Sequence, residues 1–138
     1  MNKSDLLALV KIRVKEAQAL LASGHYDGAY YLAGYAMECA IKACIAGKIK
    51  NNVVPDRNFV QNFYQHDLER LLKAAGLWTT FETDLKAKPA LSLNWAVVKD
   101  WNESSRYEYG KSQAEATDLV NAIVTRKAGI LGWVKRCM

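Results

Sequence analysis

Proline and glycine are scarce in this chain of 138 residues, which contains two prolines and eight glycines. That scarcity excludes a flexible interdomain linker and a turn-rich all-β fold. Half of the residues are hydrophobic and no repeat or low-complexity tract interrupts them. We therefore expect long helices in one domain, residues 1–138, large enough to bury a core without disulfides or a structural metal.

The sequence also lacks the cysteine and histidine spacings of a metal site. Cys39, Cys44 and Cys137 form no CxxC pair, and His25 and His66 are far apart with no third ligand type clustered beside either. We predict no bound metal and no cofactor. The cysteines are expected to be small core residues, with Cys137 as a thiol near the end of the chain.

A signal peptide is not evident in MNKSDLLALVKIRVKE, because charges are scattered among its apolar residues. Residues 28–47 approach the length of a membrane span, but Glu38 and Lys42 near the middle would be costly in hydrocarbon. We predict a cytoplasmic protein without membrane contact. The net charge of +5 favours polyanions only weakly.

Two long amphipathic helices are predicted at the start of the chain. Ser4 is a suitable N-cap for the first helix, and Gly24 ends it. Asp27 is expected to cap the second helix, which ends near Gly47, so the short GHYD connection makes the pair an antiparallel hairpin. The core stripe of the first helix recurs every three or four residues at Leu6, Val10, Val14, Ala17 and Leu21.

The middle of the chain is less regular. Residues 48–65 show no sustained period and are expected to form an exposed loop. Asp67 is a suitable N-cap for a short third helix, and Gly76 followed by Leu77 is a typical helix stop.

The last third of the chain predicts one more long helix. Within residues 78–110, Pro89 separates two segments that could each form a short helix. Ser112 and Glu115 form a capping box, after which a helical stripe continues almost to the C-terminus at Ala116, Val120, Ile123, Ile130 and Val134. The predicted fold is all-α: an antiparallel four-helix up-and-down bundle with an extra short helix or irregular segment before the last long helix.

The second helix carries an acid and a base within an otherwise apolar run. Tyr31, Tyr35, Glu38 and Lys42 follow one another at steps of four, three and four, and so lie on one stripe. One interpretation is a solvated stripe, in which Glu38 and Lys42 support the helix by roughly 0.2–0.5 kcal/mol. The other is one wall of a polar groove, with two phenols beside an ion pair.

The ordered motifs resemble the HEPN domain family over residues 4–127. LLASGHYDGAYYLAGYAMECAIKA is similar to its first helix hairpin, QHDLERLL to the start of its third helix, and WNESSRY to its Ser-Arg-Tyr element. The resemblance implies a helical bundle that usually forms homodimers. Some members are endoribonucleases, often toxins or phage-defence effectors, whereas others bind nucleotides or act with a minimal nucleotidyltransferase.

The chain departs from the ribonuclease branch of that family, which is marked by an Arg followed after four to six residues by a His. Here eight residues separate Arg57 from His66, eleven separate Arg13 from His25, and no His follows Arg106. RNA cleavage without metal needs a group that moves a proton and a cation that stabilises the phosphorane. The missing pairing favours a non-catalytic protein, with His66 as a secondary catalytic candidate that is otherwise a packed loop residue.

Arg106 and Tyr107 are the main candidates for ligand contact. An Arg offers a planar fork for phosphate, and an adjacent Tyr offers a stacking face. The alternative is architectural, with Arg106 paired to a carboxylate such as Glu38 and Tyr107 packed beneath it. If Glu38 holds Arg106, the same contact orients it for an anion, and Lys42 adds positive charge from the facing helix.

Three functional classes follow. The first is a dimeric, non-catalytic nucleotide- or RNA-binding protein that acts with a nucleotidyltransferase in a toxin–antitoxin or defence system. The second is a metal-independent endoribonuclease with a non-standard site, and the third is a helical dimerisation scaffold. A homodimer is expected because the apolar and aromatic content of the second helix and of residues 78–101 exceeds what one small bundle needs.

Overall fold

The computed structural model describes residues 1–49 and 57–138, and in those ranges the secondary structure is entirely helical. The predicted all-α class is confirmed, while the four-helix up-and-down arrangement stays a prediction. The α-helices are α1 (Lys3–Ala22), α2 (Tyr26–Ala46), α3 (Arg57–Phe63), α4 (Leu68–Ala74), α5 (Trp78–Ala87), α6 (Pro89–Val98), α7 (Gln113–Val124) and α8 (Ile130–Arg136), and a 3₁₀ helix spans Glu103–Tyr107.

The predicted hairpin of α1 and α2 is present, but its caps differ from those expected. Asn2, not Ser4, caps α1: its side chain accepts from the amide of Asp5, whose carboxylate accepts from the amide of Asn2. Gly24 ends α1 with φ +81°, a left-handed conformation that favours glycine. Asp27 lies inside the first turn of α2, so the prediction that it caps this helix is wrong.

Helix α2 is the central element of the fold. It packs against α1, α4, α7, α8 and the 3₁₀ helix, so most of its residues are buried. Its buried residues are largely small or aliphatic, and the packed faces run from Ala29 to Ile45. This packing leaves little solvent for any charge on the helix.

The segment predicted as an exposed loop contains a helix. Helix α3 occupies Arg57–Phe63, and the rest of that prediction includes residues 50–56, which lie outside the described ranges. Asp67 caps α4 as predicted, because its carboxylate accepts from the amide of Arg70. Gly76 follows with φ +73°, and the amide of Leu77 closes the turn on the carbonyl of Leu72.

Helices α5 and α6 carry the aromatic part of the core. Pro89 begins α6 at a position where its missing N–H costs nothing. The ring of Phe81 lies 5.0 Å from that of Trp95 and 4.7 Å from that of Trp133, measured between centroids. These contacts join α5, α6 and α8 into one packed unit.

The long closing helix was a wrong prediction, because the chain breaks after Val124 and resumes at Ile130. The amide of Gly129 donates to the carbonyl of Thr125, and a β-carbon at Gly129 would overlap that carbonyl. Lys127, within this turn, has φ +71°. The seven-residue step from Ile123 to Ile130 preserves the apolar pattern on both sides of the break, which is why periodicity alone missed it.

Candidate functional site

The acid and the base of α2 form a buried ion pair. Lys42 Nζ lies 3.0 Å from Glu38 Oε2, and the two residues are 8% and 2% exposed. The interpretation as a solvated stripe is therefore wrong, since α2 is covered by its neighbours where these side chains lie. The ammonium of Lys42 also lies 5.5 Å from the ring centroid of Phe63 in α3, which shields it further.

His66 connects this pair to the 3₁₀ helix. Its Nδ1 lies 2.9 Å from Glu38 Oε1, and its Nε2 lies 3.2 Å from Glu103 Oε2. A neutral imidazole donates from one ring nitrogen only, so both contacts are hydrogen bonds to carboxylates when the ring carries both protons. The side chain is 44% exposed, so one side of the ring faces solvent.

Arg106 completes the row of charges. Its NH2 lies 2.9 Å from Glu103 Oε1, while its guanidinium carbon lies 5.7 Å from the ring centroid of Tyr31 and 5.4 Å from that of Tyr107. The alternative in which Arg106 pairs with a carboxylate is present, but the carboxylate is Glu103 and not Glu38. We call the connected residues the charged cluster: Lys42, Glu38, His66, Glu103 and Arg106.

Glu103 was missed by sequence reasoning. Its only local signal is its position three residues before Arg106, a spacing at which side chains of opposite charge meet on a helical turn. Its two oxygens contact different partners, Nε2 of His66 and NH2 of Arg106. It therefore bridges two residues that lie 40 positions apart in the numbering of the chain.

The two tyrosines of the α2 stripe form an aromatic floor beside the charged cluster. The rings of Tyr31 and Tyr35 are stacked with centroids 6.0 Å apart, and Tyr31 lies 6.2 Å from Trp101. Burial raises the pKa of both phenols above the ordinary value, and the nearby Arg106 partly opposes this effect at Tyr31. Both phenols therefore stay neutral at physiological pH. Tyr107, by contrast, is 79% exposed.

The segment that carries Arg106 is fixed at both ends. Before it, the buried indole of Trp101 packs on Gly34 of α2, where there is no side chain to exclude it. After it, the carboxylate of Asp27 accepts from the amides of Gly110 and Lys111, at 3.2 Å and 2.8 Å. Arg106 is thus placed by contacts with α2 as well as by Glu103.

Neither a metal site nor a membrane span is found in the described ranges. Residues 1–49 and 57–138 contain no group of three His, Cys, Asp or Glu side chains that could hold a metal ion. Among the same residues, no helix combines the length and the hydropathy that a membrane crossing requires.

The fold and the charged cluster define an all-helical domain whose central hairpin carries a buried acid–base pair connected to an exposed arginine. The model of the HEPN domain family matches residues 11–136 of the chain, so the protein belongs to the HEPN domain family. The family predicted from the motifs is confirmed. No curated protein and no solved structure gave a significant match. Membership supports a function related to nucleotides or RNA in the broad sense.

Proposed function

We propose that this HEPN protein binds a nucleotide or RNA through a phosphate group held by Arg106. The observation that supports this proposal is that the guanidinium of Arg106 is held in place and is still exposed to solvent. One of its nitrogens is anchored on Glu103, its face lies against Tyr31, and its side chain is 44% exposed. An arginine has five N–H donors, so donors on Nε and NH1 are left for phosphate oxygens.

The buried part of the charged cluster supports this arginine. Lys42 neutralises Glu38, Glu38 holds one nitrogen of His66, and the other nitrogen holds the carboxylate of Glu103. In this arrangement Glu38 and Lys42 act on the ligand through Glu103, not by direct contact. A fixed guanidinium loses less side-chain entropy on binding than a mobile one.

Tyr107 is the proposed stacking surface for a base. It lies beside Arg106, is well exposed, and has a face available to an unpaired base. Tyr31 lies against the guanidinium and Tyr35 stacks on Tyr31, so the neutral phenol of Tyr31 is the nearer of the two to an anion at Arg106 and can donate a hydrogen bond to it.

The proposed protein is non-catalytic. A general acid or base must reach the proton that it transfers, whereas both nitrogens of His66 are engaged by carboxylates. The Arg–His spacing of the ribonuclease branch is absent as well. We propose a cytoplasmic binding protein that acts with a minimal nucleotidyltransferase in a toxin–antitoxin or defence system.

A homodimer remains part of the proposal, although the apolar content of residues 78–101 does not support it. The apolar residues of 78–101 that suggested a surplus are mostly in the core of one chain, among them Phe81, Leu91, Trp95 and Val98. Leu93 is the large exception, at 72% exposed. Support for the dimer now comes from family membership.

Binding measurements with arginine variants test the proposal. Arg106→Ala should weaken ATP or single-stranded RNA binding by about 1.5–3 kcal/mol, the contribution of a charge-assisted hydrogen bond, and Arg106→Lys should recover part of it. Arg70→Ala is the control, because Arg70 is an exposed arginine of α4 outside the charged cluster. Equal affinity of Arg106→Ala and the parent protein would assign Arg106 to the architecture.

A second candidate function, a metal-independent endoribonuclease, is favoured by the shared carboxylate. Glu103 holds His66 and Arg106 side by side, although the two are distant in sequence. A phosphate that displaced Glu103 would meet a proton donor and a cation together. Cleavage of RNA by metal-free protein, lost in His66→Ala, would establish this function in place of the first. Dimer formation without any binding of ATP or RNA would instead favour the dimerisation scaffold.

A further inference from the structure

A second cationic site lies on elements that carry no residue of the charged cluster. A cavity of about 330 Å³ opens between the start of α6, the turn between α7 and α8, and α8 itself. Lys88, Lys127 and Arg136 line it, together with the indole of Trp133 and small apolar side chains. Within the described part of the chain, no carboxylate lines this cavity.

The positive charge of the cavity is only partly compensated. The cavity residues Trp133 and Lys88 share one carboxylate, Asp84 of α5, whose Oδ2 accepts from Nε1 of Trp133 at 2.8 Å and lies 4.0 Å from Lys88 Nζ. Arg136 donates from NH2 to the carbonyl of Lys127 at 3.3 Å, which positions the guanidinium without neutralising it. Three cations in the lining, with no carboxylate among the lining residues that the structure describes, produce a local field that attracts anions.

The helices that carry the cations do not explain all three of them. Arg136 is in the last turn of α8, where the helix dipole favours a cation. Lys88 is both the C-cap residue of α5, where the dipole favours a cation, and the N-cap residue of α6, where the dipole disfavours one. Lys127 has φ +71°, a conformation in which glycine or asparagine is the usual residue. Lys127 therefore occupies a position that the fold alone would give to another residue.

We propose that this cavity is a phosphate-binding site, with Lys88, Lys127 and Arg136 as the contacts. The phosphate belongs either to the backbone of RNA or to a free nucleotide, since both present the same oxygens. The site is separate from Arg106, so it is independent of the proposed role of that residue. In a protein that binds RNA at both places, it adds a second contact with the backbone.

The indole N–H of Trp133 provides the measurement. It lies in the cavity wall and is held by Asp84, so an anion that draws Lys88 away from Asp84 alters its environment. We would follow the indole signals of uniformly ¹⁵N-labelled protein during titration with inorganic phosphate, ATP and short single-stranded RNA, with Trp133→Phe to assign the resonance. Saturable movement of the Trp133 signal is expected, and the tighter of ATP and RNA identifies the source of the phosphate.

The variants separate binding from folding. Lys88→Gln and Lys127→Gly should each weaken the Trp133 response by about tenfold in affinity. Lys127→Gly should leave the melting temperature unchanged or higher, because glycine suits a positive φ. Lys135→Gln, which removes a charge from α8 outside the cavity wall, is the matched control. A Trp133 signal that does not move, or that moves equally in all three variants, would overturn the proposal. Arg106→Ala should leave the response to inorganic phosphate intact, which distinguishes failure here from failure of the first site.

Discussion

The buried pair of α2 predicts an asymmetric response to substitution. We consider Glu38→Met and Lys42→Met, which remove the charge of each side chain and leave an unbranched apolar side chain of similar size. Glu38→Met leaves the ammonium of Lys42 buried without its carboxylate, at a residue that is 8% exposed. Lys42→Met leaves Glu38 with a second partner, because His66 Nδ1 still lies 2.9 Å from its other oxygen.

The magnitudes follow from burial. Removing one partner of a buried ion pair costs about 3–5 kcal/mol, and we expect Glu38→Met to fall in that range. Lys42→Met should cost about 1–3 kcal/mol, the effect of one lost hydrogen bond to a carboxylate that keeps another. The double variant should be more stable than Glu38→Met alone, because no buried charge is then left without a partner. Since the free energy of unfolding of a small domain is about 5–15 kcal/mol, each of these differences is measurable.

Urea unfolding followed by far-ultraviolet circular dichroism gives these free energies. The control is Glu69→Met, since Glu69 and Lys73 form an i, i+4 pair of 3.1 Å on α4 with both side chains about half exposed, and its loss should cost no more than about 0.5 kcal/mol. If Glu38→Met costs no more than Glu69→Met, the pair of α2 is solvated and our description is wrong. If Lys42→Met costs as much as Glu38→Met, His66 does not support Glu38.

Three further predictions concern packing, thiol chemistry and assembly. Gly34→Ala should lower the free energy of unfolding by about 1–3 kcal/mol in the same urea assay, because the new methyl group overlaps Trp101; an unchanged value would show that the indole can move. Thiol titration of native protein near neutral pH should modify Cys137 first and leave Cys39 and Cys44 slow, because Cys137 is exposed and the other two are buried, although burial raises the pKa of all three thiols; equal rates for all three would refute the described core. Light scattering on dilute protein should give the mass of two chains, and a monomer at micromolar concentration would remove the homodimer from the proposed function.

Local features of the fold were predictable where one residue type decides the backbone. Gly24, Asp67 and Gly76 act as turn, cap and stop as expected, because each satisfies a requirement that only a few side chains can meet. The break between α7 and α8 contains no proline and preserves the apolar period. The sequence therefore has no local signal there strong enough to argue against one continuous helix. Helix α3 has too few turns for a period to emerge from its sequence.

All members of the candidate site except Glu103 were predictable from the sequence, whereas the connections between them were not. Spacing along α2 placed Glu38 and Lys42 together, but burial depends on which helices cover them, and that is decided by tertiary packing. The contacts of His66 with Glu38 and Glu103 join residues from three separate segments. A single sequence has no periodicity that reports such pairs, so the carboxylate that holds Arg106 was assigned to the wrong residue.

The contact of Asp27 with the amides of Gly110 and Lys111 also affects the stage of folding at which the site forms and the fraction of molecules in which it is assembled. It closes a loop of more than eighty residues, whereas α1 and α2 are neighbours joined by a short turn. Long loops cost more entropy to close and form later, so the hairpin can fold before the 3₁₀ helix docks on it. The same contact can open while the hairpin stays folded, and in that state only the Trp101 side of the segment that carries Arg106 is still fixed on α2, so Arg106 is held less firmly against Tyr31. The measured affinity of a ligand at Arg106 would then be the intrinsic affinity multiplied by the fraction of molecules in which the Asp27 contact is closed. The hydrogen-exchange rate of the Lys111 amide, which donates in that contact, reports this fraction.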